Sequence, residues 1–219
     1  MESGTAKAVE ATAKATEKAL TIIHDTGAYL REVVGDLPKN AVGLLGGDWL
    51  GQKRIRNLAI MIRRTEGILQ ERAVLAVDQL SPNVATELLS GAQDDSREEL
   101  IELWARLLAN ALDPGLNNIR RSFIEAVKQM EAVDALVLNF IYGGKYQDIR
   151  PGIVNNPDGV IIGISEIAGK VKAPSEDDVR ISISHLTTLD FFSRDPQSAR
   201  WLTTPFGRQF FRACYPEVL

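Results

Sequence analysis

The sequence contains few of the residues that build disulfide frameworks or metal centres, and it lacks long apolar runs. It has a single cysteine, Cys214, and only two histidines, His24 and His185. One cysteine excludes an internal disulfide, and ligands this scattered do not form a zinc site. No apolar run approaches the roughly 18 residues of a membrane span, and the N-terminal stretch has no signal-peptide core. We therefore expect a cytoplasmic protein with no metal and no cofactor.

The sequence also lacks an excess of basic residues. Its 25 Lys and Arg against 29 Asp and Glu give a net charge of −4, and the pI is about 5.3. This balance provides no global attraction to nucleic acid or to anionic membranes. Hydrophobic residues make up 45% of the 219 residues, which is typical of a globular protein that buries a substantial core.

Helical periodicity dominates the first 130 residues. Residues 4–34 predict a long helix, and its seam either packs on its own domain or pairs with a second copy or a partner helix. The glycine-rich residues 35–47 predict a hinge. The seam positions, which alternate spacings of four and three, are Val9, Ala13, Thr16, Leu20, Ile23, Gly27, Leu30 and Val34.

Several further helices are predicted between residues 48 and 130. The expected elements are a long helix from Asp48 to about Leu80, a short helix from Pro82 through Leu89 with Ser81 as its cap, a helix after a Ser96–Glu99 capping box, and a helix capped by Ser122 with Glu125. The apolar face of the long helix is narrow, which indicates that one side of it is buried.

The last third of the chain predicts a different arrangement. The expected order is a helix over residues 132–142, a short helix over 164–171, a helix capped by Ser175, a β-hairpin whose polar turn segment is residues 193–200, and a final helix capped by Thr204 and Pro205. This is the order of a winged-helix unit. The predicted fold is therefore mainly α: an N-terminal multi-helix domain, residues 1–130, and a small winged-helix-like domain with one β-hairpin, residues 131–219.

The segment GGDWLGQKRIRN, residues 46–57, is close to a nucleotide-binding loop. Gly46 and Gly51 have the P-loop spacing, but Gln52 replaces the lysine and Lys53 stands where the hydroxyl residue belongs. Asp48 would also place a negative charge in the phosphate cradle. We interpret the segment as a glycine turn with Asp48 as a helix N-cap. Since no other candidate active site emerges, we expect a protein that is not an enzyme.

Two surfaces are predicted to take part in interactions. One is the start of the second long helix with its basic stripe, although charge runs on helices are more often explained by solvent exposure or, here, by pairing with the acidic segment 94–102. The other is the third helix and hairpin of the tail. The first set comprises Asp48, Trp49, Lys53, Arg54, Arg56, Asn57, Arg63 and Arg64; the second comprises Arg180, His185, Arg194 and Arg200.

The order of these motifs resembles the bacterial Abi-alpha family of abortive infection proteins. GGDWLGQKRIRN is followed by SPNVATELLSGAQDDSREELIELWARLLANALDP, then by FIEAVKQMEAVDALVL and the winged-helix-like tail. The resemblance runs from roughly Gly35 to Ala213. It implies a role in defence against phage, in which an infected cell stops supporting phage growth, and it supplies no catalytic residues.

We therefore expect a non-enzymatic component of antiphage defence that contacts a phage or host protein. One alternative is a winged-helix DNA-binding regulator, which is disfavoured because acidic residues outnumber the one arginine, Arg180, in the candidate recognition helix. The other alternative is a membrane-active effector that uses residues 41–51 and the adjacent basic helix for peripheral membrane contact.

Overall fold

The computed structural model describes residues 49–74, 77–116, 119–142, 164–171, 173–194 and 201–215. In these ranges the chain forms eight helices and one antiparallel two-stranded hairpin, so the protein is mainly α, as the sequence predicts. The predicted helix 4–34, the glycine-rich residues 35–47 and the Asp48 cap lie outside the described residues.

The elements follow one another in the predicted order. They are α1 (Trp49–Glu71), α2 (Pro82–Asp94), α3 (Glu98–Leu112), α4 (Arg121–Gln129), α5 (Ala132–Tyr142), α6 (Ile164–Val171), α7 (Glu176–Thr188), β1 (Phe192–Arg194), β2 (Trp201–Thr203) and α8 (Pro205–Cys214). In the hairpin, Phe192 lies opposite Thr203 and Arg194 lies opposite Trp201. From α5 onward, three helices, a hairpin and a last helix follow the order expected of the tail.

Helix α3 is the centre of the structure. Trp104 and Leu107 on this helix are completely inaccessible to solvent, at 0% exposure. The helix packs against α1, α2, α4, α5 and α8. The buried apolar residues form one continuous core from α1 to α8. The core therefore runs across residue 130, and a division into two domains at that residue stays a prediction.

Aromatic rings fasten α8 to the rest of the core. Phe123 of α4 and Phe191, which precedes β1, each make edge-to-face contacts with Phe206 and Phe210 of α8, with ring centroids 4.9 to 5.5 Å apart. Such contacts add to the stabilisation gained from burying the rings. Cys214 at the end of α8 is buried.

Three predicted helix caps are confirmed. Ser81 accepts a hydrogen bond from the backbone N–H of Val84 at the start of α2. Ser175 Oγ accepts from the N–H of Asp178 at 3.1 Å, and Thr204 Oγ1 accepts from the N–H of Gly207 at 2.9 Å. Each side chain satisfies a donor that the first helical turn leaves without an intrahelical partner.

Two predicted capping boxes are wrong. Helix α3 begins after Arg97, not after Ser96, and helix α4 begins after Arg120, so that Ser122 already lies in its first turn. Neither N-cap residue makes a side-chain cap hydrogen bond. Arg97 is held in place by Asp95 instead. Asp95 Oδ1 accepts hydrogen bonds from the backbone N–H of Arg97 at 3.4 Å and from Arg97 Nε at 3.1 Å, and a capping pattern does not reveal these contacts.

The predicted ends of α1 and α2 are also wrong. Helix α1 stops at Glu71, because Ala73 adopts a left-handed φ of 54° and the Val74 N–H bonds back to Leu69 O at 3.0 Å. This is a Schellman-type ending in which alanine occupies the place that glycine usually takes, so the sequence contains no stop signal. Helix α2 continues to Asp94 rather than ending at Leu89.

Candidate interaction surfaces

The structure divides the cations of the predicted α1 surface into two sets. Lys53, Arg56 and Arg63 are exposed. Arg54 and Arg64 instead turn to acidic residues at the end of α2 and on α3. Arg54 Nε lies 2.6 Å from Asp94 Oδ1. Intramolecular pairing therefore accounts for Arg54 and Arg64. A part for Lys53, Arg56 and Arg63 in an interaction surface stays a prediction.

Arg64 is held by α3. Its Nη1 donates to the Glu98 carbonyl at 3.0 Å, and its guanidinium lies 3.4 Å from Glu98 Oε1 and 3.6 Å from Glu102 Oε2. Asn57 is buried at 5% exposure, and its Nδ2 donates to the Gln93 carbonyl at 2.9 Å. These contacts place Asn57 in the packing of α1 against α2. Trp49 forms the first residue of α1, and Asp48 lies outside the described residues.

Arg97 joins the α2–α3 connection to the start of α5. Its guanidinium pairs with Asp95 and with Glu131, and its Nη2 donates to the Met130 carbonyl at 3.3 Å. Partial burial lowers the pKa of Arg97, but the carboxylates of Asp95 and Glu131 outweigh that effect and raise the pKa above its ordinary value. Arg97 thus stays charged and acts as a link between helices.

A surface cavity of about 370 Å³ lies beside this connection. Its lining comprises Ser90, Gly91, Gln93, Asp94, Asp95, Arg97, Trp104 and Lys128. Every charged side chain in this lining makes an ion pair within the protein. The cavity therefore presents no uncommitted charge to an ionic ligand.

His185, predicted as a contact residue of the tail, faces the interior of that unit. Its Nδ1 lies 2.7 Å from Oδ2 of Asp134, whose side chain is only 2% exposed. The same oxygen accepts the N–H of Glu131 at the start of α5 at 2.7 Å. His185 thereby ties α7 to α5 and supplies a partner for a buried carboxylate. Sequence reasoning did not identify Asp134, since an acidic residue at a helix start is usually solvated.

Replacing His185 by alanine is expected to lower the free energy of unfolding by about 1 to 3 kcal/mol, because the Asp134 carboxylate would remain buried without its side-chain partner. Urea denaturation followed by circular dichroism measures this change. Ser184→Ala on the exposed side of α7 is the matched control and should change stability by less than about 0.5 kcal/mol. If His185→Ala lowers the unfolding free energy no more than Ser184→Ala does, the His185–Asp134 pair does not contribute to stability.

The arginines predicted as tail contacts fall into different settings. Arg180 is exposed on α7, where its guanidinium lies 3.9 Å from carboxylate oxygens of both Glu176 and Asp177. Arg194 is exposed at the end of β1. Arg200 lies outside the described residues. Acidic neighbours on its own helix therefore partly neutralise Arg180.

Two exposed apolar side chains were missed from the sequence. Among the described residues, Ile181 and Leu50 are the large hydrophobic side chains that remain exposed, at 67% and 44%. A signal for Ile181 was present, because the buried positions Val179, Ile183 and Leu186 share one side of α7 and Ile181 falls off that side.

Comparison with models of known protein families shows which family the chain belongs to. Residues 53–214 match the family described as Abortive infection alpha. The chain belongs to the Abortive infection alpha family. Comparison with curated proteins and with solved structures finds no match. The matched range contains α2 to α8 completely, together with α1 from Lys53 onward.

The family assignment associates the chain with abortive infection. Within the described ranges of this family member, no group of three or more His, Cys, Asp or Glu side chains is arranged to hold a metal ion. Across the same ranges, each helix is too short or too polar to cross a bilayer.

Proposed function

We propose that this member of the Abortive infection alpha family is a non-enzymatic component of antiphage defence, and that it acts by binding a protein through the exposed face of α7. Family membership supports the defence role. The observation that carries the choice of surface is Ile181, whose side chain is 67% exposed on the third helix of the tail.

The α7 face has the composition of a small protein-binding patch. We define it as Asp177, Arg180, Ile181, Ser184 and Thr188, all of which are exposed and recur at helical spacing. An apolar side chain lies near its middle, and polar or charged side chains surround it. An apolar centre with a polar rim is the usual anatomy of a protein interface.

The charges on α7 favour a protein partner over DNA. The first turn contains Glu176, Asp177 and Asp178, and Arg180 on the same helix is already close to two of them. A helix in the major groove must approach phosphates, which these carboxylates would repel. A protein with basic groups around an apolar pocket would be attracted by the same carboxylates.

Ile181→Glu tests this surface. The substitution should remove at least about 2 kcal/mol of binding free energy, as for a central interface residue, and so weaken partner binding roughly 30-fold. Cells that express the variant should lose protection in a phage plating assay. Because the side chain is exposed, the unfolding free energy should change by less than about 0.5 kcal/mol.

Gln129→Glu, an exposed substitution on α4, is the matched control because it places the same new side chain outside α7. It should protect as well as the wild type. If Ile181→Glu protects as well as the control at equal protein levels, the α7 face is not the contact surface.

A further inference from the structure

The first turn of α7 carries a surplus of negative charge. Glu176, Asp177 and Asp178 all lie in this turn. The guanidinium of Arg180 lies 3.9 Å from a carboxylate oxygen of Glu176 and 3.9 Å from one of Asp177, which is too long for a hydrogen bond. Three carboxylates therefore face one weakly paired cation, and the positive end of the helix dipole offsets only about half a charge.

Asp178 has no cation beside it among the described residues. Its Oδ2 accepts the Ser175 hydroxyl at 2.7 Å, and its backbone N–H donates to the same oxygen of Ser175 at 3.1 Å. Helix α5, α6 and β1 pack against α7. Lys170 of α6 and Arg194 of β1 are exposed, and neither forms an ion pair with a carboxylate of this turn. The charge of Asp178 therefore remains on the surface.

The His185–Asp134 pair adds no net positive charge to this side of α7. His185 lies one turn after Ile181, and its Nδ1 is 2.7 Å from the buried Asp134 carboxylate. A protonated imidazole beside that carboxylate gives a pair with no net charge, and a neutral imidazole leaves the pair negative. The surplus at the start of α7 is therefore not cancelled from the other end of the helix.

Two of these carboxylates flank the exposed apolar side chain. At 3.6 residues per turn, Asp177 lies about 40° to one side of Ile181 and Asp178 about 60° to the other side, both one turn before it. Ile181 is 67% exposed, and the Asp177 side chain is 89% exposed. Residues three and four apart are neighbours on a helix surface. A side chain that packs on Ile181 therefore has both carboxylates beside it, whereas Arg180 lies farther round, about 100° away.

We propose that the α7 face binds a cationic segment of another protein, in which an apolar side chain packs on Ile181 and neighbouring lysine or arginine side chains pair with Asp177 and Asp178. Arg180 then opposes the attraction and limits the affinity. The inference rests on the proposed function, since it names the chemistry of the partner and the residues that select it. The same carboxylates repel acidic proteins and nucleic acid, so they provide specificity as well as attraction.

Two synthetic peptides test the partner chemistry on the full chain. Both place the same leucines along one side of an amphipathic helix, and the polar positions are lysine in one peptide and glutamate in the other. Fluorescence anisotropy of the labelled peptides measures Kd. The lysine peptide should bind at least about tenfold more tightly than the glutamate peptide, and its affinity should fall as salt is added.

Variants of α7 should change this affinity in opposite directions. The combined variant Asp177→Asn and Asp178→Asn should weaken binding of the lysine peptide roughly fivefold and reduce its salt dependence. Arg180→Gln should strengthen binding about twofold, because it removes the opposing charge. Ile181→Ser should weaken binding roughly tenfold with unchanged salt dependence. A purely structural role of these residues would not give a gain at one position and a loss at its neighbours.

The matched control removes two negative charges elsewhere. Glu66→Gln combined with Glu71→Gln changes α1, which packs against α2 and α3. This variant should stay within about 1.5-fold of the wild type, because charges farther away than a Debye length are screened. Circular dichroism confirms that every variant keeps its helices.

Several results would overturn the proposal. They are binding of neither peptide, equal or tighter binding of the glutamate peptide, full retention of binding by the asparagine variant, weaker binding by Arg180→Gln, and an equal loss in the α1 control. A DNA duplex that binds the wild type, binds the asparagine variant more tightly and binds Arg180→Gln more weakly would assign nucleic acid to this face instead.

Phage plating separates this inference from the proposed function. The asparagine variant should protect less well than the wild type at equal protein levels. If Ile181→Glu loses protection and the asparagine variant protects fully, α7 remains the contact surface and the cationic partner is excluded. If both variants protect fully, the proposed role of α7 fails as well.

Discussion

Gly207→Ala is expected to lower the free energy of unfolding by about 3 kcal/mol or more, because a side chain at this position has no room. A Cβ atom there would lie 2.4 Å from the backbone oxygen of Phe191 and 3.2 Å from its carbonyl carbon. Real Cβ atoms do not approach a carbonyl oxygen this closely. The first turn of α8 would have to move away from the segment that leads into β1.

That movement would break several contacts together. The Phe191 oxygen also accepts the backbone N–H of Thr204 at 3.2 Å, and Thr204 caps α8 through the N–H of Gly207 at 2.9 Å. The Phe191 ring packs against Phe206 and Phe210 in the same place. One added methyl group would thus disturb the backbone hydrogen bond, the helix cap and the ring contacts together. The expected loss of unfolding free energy is large for this reason.

Gly169→Ala provides the control for this prediction. Gly169 lies inside α6, and a Cβ there meets nothing within 4 Å. Alanine is a better helix former than glycine by up to about 1 kcal/mol, so this substitution should stabilise the protein. Urea unfolding of both variants measures the contrast. If both substitutions stabilise, the close approach of α8 to Phe191 is not present in solution.

Gly91→Ala is expected to lower the free energy of unfolding by about 2 to 3 kcal/mol, because α2 and α3 meet through the Trp104 ring. A Cβ on Gly91 would lie 2.6 Å from Trp104 Cη2 and 2.8 Å from Cζ2. Trp104 is 0% exposed on the central helix, so its ring cannot yield without disturbing the core around it. The cost should therefore exceed the gain in helix propensity.

A double-mutant cycle isolates the contact. Trp104→Phe removes the outer ring atoms that the new methyl group would strike, at the expense of a cavity. In that background Gly91→Ala should cost at least about 1 kcal/mol less than it does beside tryptophan. Gly67→Ala on α1, where a Cβ meets nothing within 4 Å, is the matched control. Additive effects of the two substitutions would contradict the predicted contact.

Much of the fold follows from local patterns in the sequence. Helical periodicity and turn signals predicted α3, α5, α6, the hairpin and α8 close to their observed places. The caps Ser81, Ser175 and Thr204 were found because a cap bonds to a backbone only three residues away. Short-range rules suffice for such features.

Features that depend on distant contacts were not predictable in this way. Helix α1 ends at a left-handed residue that is alanine, Ala73, where a glycine would have signalled the end. Arg97 precedes the first residue of α3 and is held there by the carboxylates of Asp95 and of Glu131, which follows α4. Glycine is required at position 91 because Trp104 lies against it, and at position 207 because the Phe191 backbone lies against it. Both neighbours are distant in the sequence and approach only in the folded chain. The periodicity of one segment does not predict contacts between that segment and another.

The candidate surfaces were only partly predictable for the same reason. Charge pattern located the cations of α1. It could not show that Arg54 pairs with the end of α2 and Arg64 with α3, whereas Lys53, Arg56 and Arg63 are exposed. His185 was recognised as a polar residue of the tail, yet its partner Asp134 lies on another helix. Ion pairs between helices require the packing to be known.

Phage challenge of cells that carry the intact chain tests the central claim most directly. The readouts are plaque formation, phage released per infected cell and survival of infected cells, across a broad panel of phages. Abortive infection predicts fewer progeny phage without rescue of the infected cells, and loss of that effect in Ile181→Glu but not in Gln129→Glu. Undiminished progeny for every phage in the panel, with the protein present and folded, would contradict the proposed function.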